Sequence, residues 1–324
     1  MVGQMVRTRS TWRRLGSAIP TALAASLLVF LLIWVGPNPA QSLMQDGDID
    51  AQAAHQLATD YGLDQPWHTQ YLSWLGNFFS GNWGVSMRTH ESAAQLITDR
   101  LGVTLALSLS AIVLSILVSL PLAMLMANRP RSRSDTSLTA SAVLVSAVPA
   151  FLLALLLQYG AVVLKDLTGI TIFHASGGVR DGGVIELLQR YTLPVLTLTA
   201  VQVAGWMRYQ RGLLLDVLGS DFITAARARG TSERTVQIHH VIRVALVPIV
   251  TMVAIDVGMM IGGTLIVETV FGLPGTGRLL LDSVQAHDTV VALDLVMLGA
   301  IAIVLANVLS DALCDRIDPR RRSD

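Results

Sequence analysis

Charge is scarce in this 324-residue chain. Only 14% of its residues are Asp, Glu, Lys or Arg, against about 25% in an ordinary soluble domain. Lysine is almost missing: Lys165 is the single one among 23 basic residues. No GxxxxGK[ST] loop can therefore form around it, and a chain without that phosphate cradle cannot power a process with ATP by itself. One cysteine, Cys314, excludes an intramolecular disulfide and any cysteine-ligated metal cluster, and it reads as a small residue near a helix end. Aromatic residues make up 6%, with none of the basic–aromatic interleaving of nucleic-acid binders. Acidic and basic residues cancel to a net charge of zero, so only their placement is informative.

What fills the chain is apolar: 52% hydrophobic residues and a mean hydropathy of +0.56. A spanning helix needs about 20 mainly apolar residues. Six stretches meet that need, at 15–35, 101–127, 138–164, 191–207 (continuing past Arg208), 244–267 and 290–310, the fifth interrupted by Asp256 and the sixth by Asp294. With six spans, 17 arginines fall on one side, before span one, between two and three, around the loop between four and five, and at the C-terminus. Six cations (Arg88, Arg100, Lys165, Arg180, Arg190 and Arg278) fall on the other. Basic residues stay cytoplasmic, which puts both termini and the 221–248 stretch inside. The run at 15–35 is longer than the apolar core of a signal peptide and is expected to remain as an uncleaved span.

The stretch DFITAARARGTSERTVQIHHVIRVALVP, residues 221–248, is the longest polar helix-like segment between two apolar runs. Ser220 or Asp221 can cap a helix start. Phe222, Ala225, Ala226 and Arg229 follow at i, i+3, i+4 and i+7, a spacing that predicts one shared face. Gly230 is placed to close that helix in the left-handed conformation. Thr231 or Ser232 then starts a second helix carrying Val236, His239, His240 and Arg243. Two short helices joined at a glycine beside a membrane have the look of a docking element, in which alanines would allow close approach and Arg227 and Arg229 would supply charge at the edge.

Ala225-Ala226, three further residues and Gly230 resemble the Glu-Ala-Ala loop by which permeases of ABC-type importers dock on their ATPases. The match extends over nearly the whole chain, through VLGSDFITAARARG, GGTLIVETVFGLPGTGRLLLDSV at 262–284 and DRIDPR at 315–320. It is closest to B-type permease subunits of the dipeptide/oligopeptide/nickel branch. Thr224 stands where the general motif has Glu, so that residue's role does not transfer; Arg243 stands where it has Pro, with Pro248 five residues later.

The resemblance implies an all-α, polytopic, type I importer permease of six transmembrane helices in a bacterial inner membrane. Residues 1–14 would be a cytoplasmic N-terminus, 15–313 the permease domain and 314–324 a cytoplasmic tail. Within the permease domain lie an extracytoplasmic insert at 36–100 and a coupling region at 221–243. The coupling residues it implies are Asp221, Thr224, Ala225, Ala226, Arg227, Arg229, Gly230, Ser232 and Glu233. It also implies partners: a homologous C-type permease, two ATPase subunits or domains that hold the ATP and Mg, and an extracytoplasmic binding protein. Transport would be by alternating access, the 221–243 helices moving as levers, with no cofactor or covalent chemistry on this chain. Di- or oligopeptides are the expected cargo, and nickel chelates, glutathione or haem fit the same architecture. An ion-coupled secondary transporter is a second reading, but it wants paired intramembrane charges and a repeat, and the sequence offers two isolated aspartates and none. A membrane scaffold leaves the 221–248 stretch unexplained.

Other features are read locally. In the insert, Trp67, Tyr71, Trp74, Phe78, Phe79 and Trp83 predict amphipathic pieces packed at the outer interface, after a short helix over Ala51–Asp60. The GGVRDGG at 177–183 is a flexible turn. GTGRLL after Pro274 lacks the strand-before, helix-after setting of a nucleotide loop. Adjacent His239 and His240 point about 100° apart on a helix and form no i, i+4 metal clamp. A mid-span carboxylate costs about 2.5–3.5 kcal/mol and should face the bundle interior or an aqueous path. Asp256 is assigned to the translocation pathway; for Asp294 a packing hydrogen bond or interfacial solvation is preferred. Gly258, Gly262 and Gly263 permit close helix approach.

Overall fold

The computed structural model describes residues 23–36, 50–177 and 183–317, together with Pro20, Ala40, Gln41 and Met44. The 1–14 terminus, most of GGVRDGG and residues 318–324 lie outside these. Among the described residues the fold is all helical, apart from one isolated antiparallel bridge between Val85 and Ser92.

Helix α1 is Leu23–Val35, and α2, Ala51–Asp60, matches the expected short helix, its start held by Asp50 Oδ1 accepting from Ala53 N at 2.7 Å. Then come α3, Trp67–Phe79, α4, Ala93–Asn128, and α5, Arg133–Ala147. After α6, Ala150–Thr168, α7 runs over Val184–Leu218. Helix α8, Asp221–Ala228, and a single turn, α9, Glu233–Thr235, lead through a wide π-type turn at Val236–Val241 into α10, Ile242–Gly258. Short α11, Met260–Gly263, α12, Leu265–Phe271, and α13, Thr276–Gln285, precede the long α14, Thr289–Ile317.

Three of these helices are long and apolar enough to cross a membrane, Ala93–Asn128, Ala150–Thr168 and Thr289–Cys314. A fourth is Glu233–Leu246 with Pro248–Gly258, bent by 42° at the proline, taken as one broken span. Two expected spans are not continuous. The one at 138–164 is broken at Val148, which is extended (φ −85°, ψ 121°), because a residue before proline is pushed out of the helical region. The one at 244–267 is interrupted at Met259 and Thr264, both near ψ 0°. The run at 191–207 lies inside α7, which continues well past Arg208 to Leu218. The last helix likewise passes the expected tail boundary at 314 and buries Cys314.

Helices α4 and α7 form the spine. Leu107 and Leu193 share one buried cluster, Ser115 donates to Gln202 at 2.7 Å, and Ala127 and Leu214 share another cluster. Both numbers rise together, so the two helices run parallel. The aromatic residues of α3 pack as expected of the insert. Tyr71 meets Phe30 of α1 at 5.4 Å, Trp74 and Phe78 continue the row, and Phe78 stacks on Trp83. Tyr71 Oη also pairs with Ser26 Oγ at 2.9 Å, clasping α3 to α1.

Candidate functional site

The polar stretch folds as two helical pieces, as its caps predict. Gly230 takes φ +80° with open space around it, and Ser232 caps the second start by accepting from Thr235 N at 3.3 Å. Ser220 occupies the first N-cap, but its hydroxyl donates back to the Val217 carbonyl at 2.5 Å, so α8 begins without a side-chain cap. Across the glycine, Arg227 grips Glu233 with Nε on Oε1 at 2.7 Å and Nη2 on Oε2 at 3.3 Å. The pair is exposed and fixes the angle between the two pieces more than it adds stability, since exposed ion pairs contribute about 0–1 kcal/mol.

The expected shared face divides. Ile223 and Ala226 are buried, whereas Asp221, Phe222, Thr224, Ala225, Arg227 and Arg229 are exposed. Ile223 seats α8 among Ala123 and Ala127 of α4, Leu214 of α7, and Val236, Val241 and Ala245 beyond the turn. Fully burying such a side chain is worth about 1.5–3 kcal/mol. Ala226 therefore packs against its own bundle, and the surface offered outward is Phe222, Ala225 and Arg229. An alanine suits either environment, so spacing alone did not separate the two.

Two side-chain links fix the neighbourhood of α8. Gln237 Nε2 donates to Asn128 Oδ1 at 2.7 Å, joining the π-type turn to the end of α4. Arg211 of α7 holds Asp135 at the start of α5 with Nε on Oδ1 at 2.6 Å and Nη2 on Oδ2 at 2.7 Å. Those Arg211 hydrogen bonds, aided by the Arg131 backbone N–H, hold the Asp135 carboxyl below the usual carboxylate range although burial opposes them. Residues 76 positions apart carry no sequence signal of such a pairing.

Asp256 is partly buried on α10 and faces Trp206 of α7, with Oδ2 unpartnered among the described residues. Asp294 is fully buried, not solvated: Trp74 Nε1 donates to its Oδ1 at 3.0 Å, tying the insert to α14. Just before α14, Asp288 accepts from Ser86 Oγ, and burial pushes its carboxyl above the ordinary range. Of the three glycines near Asp256, only Gly258 is at a close crossing, where a Cβ would lie 2.9 Å from Ile303 Cα; Gly262 has open space. Among the described residues no His, Cys, Asp and Glu group could hold a metal ion.

The PGTG segment forms a polar knot around Glu268. Thr104 and Thr264 donate to its Oε1 at 2.6 and 2.7 Å, and Arg278 N donates to Oε2 at 2.9 Å. Thr104 Oγ1 in turn accepts from Thr276 N at 2.8 Å. Gly275 and Gly277 leave room for the carboxylate, which answers the glycine pattern without any nucleotide.

A bundle of long apolar helices with an exposed two-piece polar elbow is the architecture of a multi-pass membrane subunit. The chain belongs to the family described as binding-protein-dependent transport system inner membrane component, which matches residues 119–323; the companion N-terminal family of such membrane components matches 7–108. It is 34% identical over 313 residues to the oligopeptide transport system permease protein AppB of Bacillus subtilis, covering 95% of this chain and 97% of that one. It is 33% identical over 313 residues to the glutathione transport system permease protein GsiC of Escherichia coli, covering 96% and 97%. The chain is accordingly an ABC importer permease subunit, a family that works with ATPase subunits and a substrate-binding protein.

Proposed function

We propose that this chain translocates di- or oligopeptides delivered by an extracytoplasmic binding protein, as one of two permease subunits beside a homologous C-type partner. Two separate ATPase subunits or domains bind ATP and Mg and drive alternating access through residues 221–243; this chain holds no cofactor. The observation that carries the coupling role is the outward face of α8, where Phe222, 42% exposed, stands with Ala225 and Arg229 on a helix otherwise locked into its own bundle. The peptide assignment is supported by the names of two relatives, an oligopeptide and a glutathione permease. Glutathione is itself a small peptide, which makes it the second cargo to test. The six-span topology with both termini in the cytoplasm is supported by the parallel run of α4 and α7 and by the arginine asymmetry, and places α8 inside.

The experiment is reconstitution of this permease with its partner permease, ATPases and binding protein in vesicles. Peptide import with ligand-stimulated hydrolysis is expected. Ala225→Glu, on the exposed face, should lose ATPase copurification while the subunit still inserts, because a packed contact tolerates little added volume. Retained copurification and stimulation in Ala225→Glu would remove α8 as the docking element.

A further inference from the structure

Helix α8 is suspended between two elements, α7 before it and the π-type turn Val236–Val241 after it. Both are fastened to the same junction, residues 128–135, made of the last residue of α4, a four-residue turn and the start of α5. On one side Arg211, seven residues before the end of α7, grips Asp135 bidentately at 2.6 and 2.7 Å. On the other, Gln237 reaches Asn128 at 2.7 Å. The turn is shaped for its part. Arg131 takes a left-handed φ of +60°, which lets its backbone N–H donate to Asp135 Oδ2 at 2.8 Å, and Ser132 Oγ accepts from Asp135 N at 3.2 Å. A non-glycine residue persists at such a φ only where its surroundings over-determine it. Asp135 is 3% exposed, so its bond to Arg211 is sheltered from competing water. Beneath both fastenings Ala123 and Ala127 pack with Ile223, Val236 and Val241.

Resting on the reading in which α8 docks an ATPase, we propose that the 128–135 junction is a brace that carries displacement of α8 to α4 and α5, with Asp135, Arg211 and Gln237 as its positioning residues. Without it α8 would act on the bundle only through its covalent ends and the non-directional packing of Ile223. With it, movement at the ATPase surface reaches α4, whose other end supplies Thr104 to the Glu268 knot.

The test compares peptide imported per ATP hydrolysed in reconstituted complexes of wild type, Asp135→Asn, Gln237→Ala and the exchange Asp135→Arg with Arg211→Asp. ATPase copurification should survive in Gln237→Ala and Asp135→Asn. The ratio should fall about tenfold in Asp135→Asn, within the usual range of coupling between sites, and less in Gln237→Ala, whose bond is exposed. The charge exchange, which restores the ion pair but not the bond from Arg131 N, should recover part of the ratio. Unchanged ratios in both single variants overturn the brace alone. So does a fall in assembled Asp135→Asn complex that leaves the ratio intact both there and in Gln237→Ala. A wild-type complex showing no stimulated hydrolysis overturns the importer coupling itself, and the brace with it.

Discussion

The carboxyl carbon of Glu268 lies 2.1 Å from the point a Cβ on Gly275 would occupy. The two residues thus exclude one another's alternatives. Gly275 has no side chain because a buried carboxylate fills that space, and the carboxylate stays buried because Thr104, Thr264 and the Arg278 N–H satisfy it. This joins α4, α12 and the start of α13 at one point.

Gly275→Ala should therefore be severely destabilising, by about 1–3 kcal/mol or more, the cost of forcing volume into a filled core. Gly262→Ala, into open space, should be neutral or stabilising by about 0.5–1 kcal/mol, as a helical glycine gains from a methyl. Thermal unfolding of the detergent-solubilised protein measures both, and equal midpoints for the two variants would contradict the knot.

On α8 the two neighbouring alanines should behave oppositely. Ala226→Asp places a charge at a site 2% exposed, which should lower the yield of folded subunit, with a cost of about 1–3 kcal/mol for an unpaired buried polar group. Ala225→Asp should leave folding near wild type. Fluorescence-detected size-exclusion profiles of the subunit alone distinguish them, and equal losses would mean that both face the bundle.

Asp135 should make stability depend on pH in acid. Its folded pKa lies below its unfolded one. The stabilisation is therefore complete above the unfolded value of about 3.9 and is lost as pH falls through the folded pKa. The stability difference between wild type and Asp135→Asn should be constant from pH 7 to 5 and shrink only in stronger acid. A difference that shrank already between pH 7 and 6 would assign the effect to another group.

Asp256→Asn should assemble as well as wild type or better, since a mid-span carboxylate is costly to insert. Import of peptides with a free amino terminus should fall about tenfold or more, the worth of one charge-assisted hydrogen bond. Amino-acetylated peptides should be affected little. Unchanged import with reduced assembly would make Asp256 a packing partner of Trp206.

Much of the arrangement was readable from sequence where the signal is local. Gly230 and Ser232 mark the elbow because left-handed and capping conformations belong to single residues. The arginines and apolar runs outline the long helices because charge and hydrophobicity accumulate over many positions. The breaks at Met259 and Thr264 each follow a glycine, Gly258 and Gly263, but a glycine in an apolar run signals close helix approach as readily as interruption; Pro149 was the sign of the break in the third run. The Glu268 knot joins residues 164 positions apart, and Trp74 meets Asp294 across 220. Such pairs depend on which helix packs beside which, and a lone acidic residue in a sequence does not name its donor.

Helix α7 has 35 residues without a break and is about 52 Å long at 1.5 Å per residue, well beyond the roughly 30 Å of a bilayer's hydrocarbon. A rod of that length turns one degree of tilt about its far end into a shift of about 0.9 Å at the tip that carries α8. A gap of 0.5–1 Å already forfeits about a quarter to a half of a van der Waals contact. The outward face of α8 would thus register rotations of a single degree in α7. Angular stiffness of the parallel pair, together with the Asp135–Arg211 fastening near its tip, then sets how faithfully the two ends report on each other.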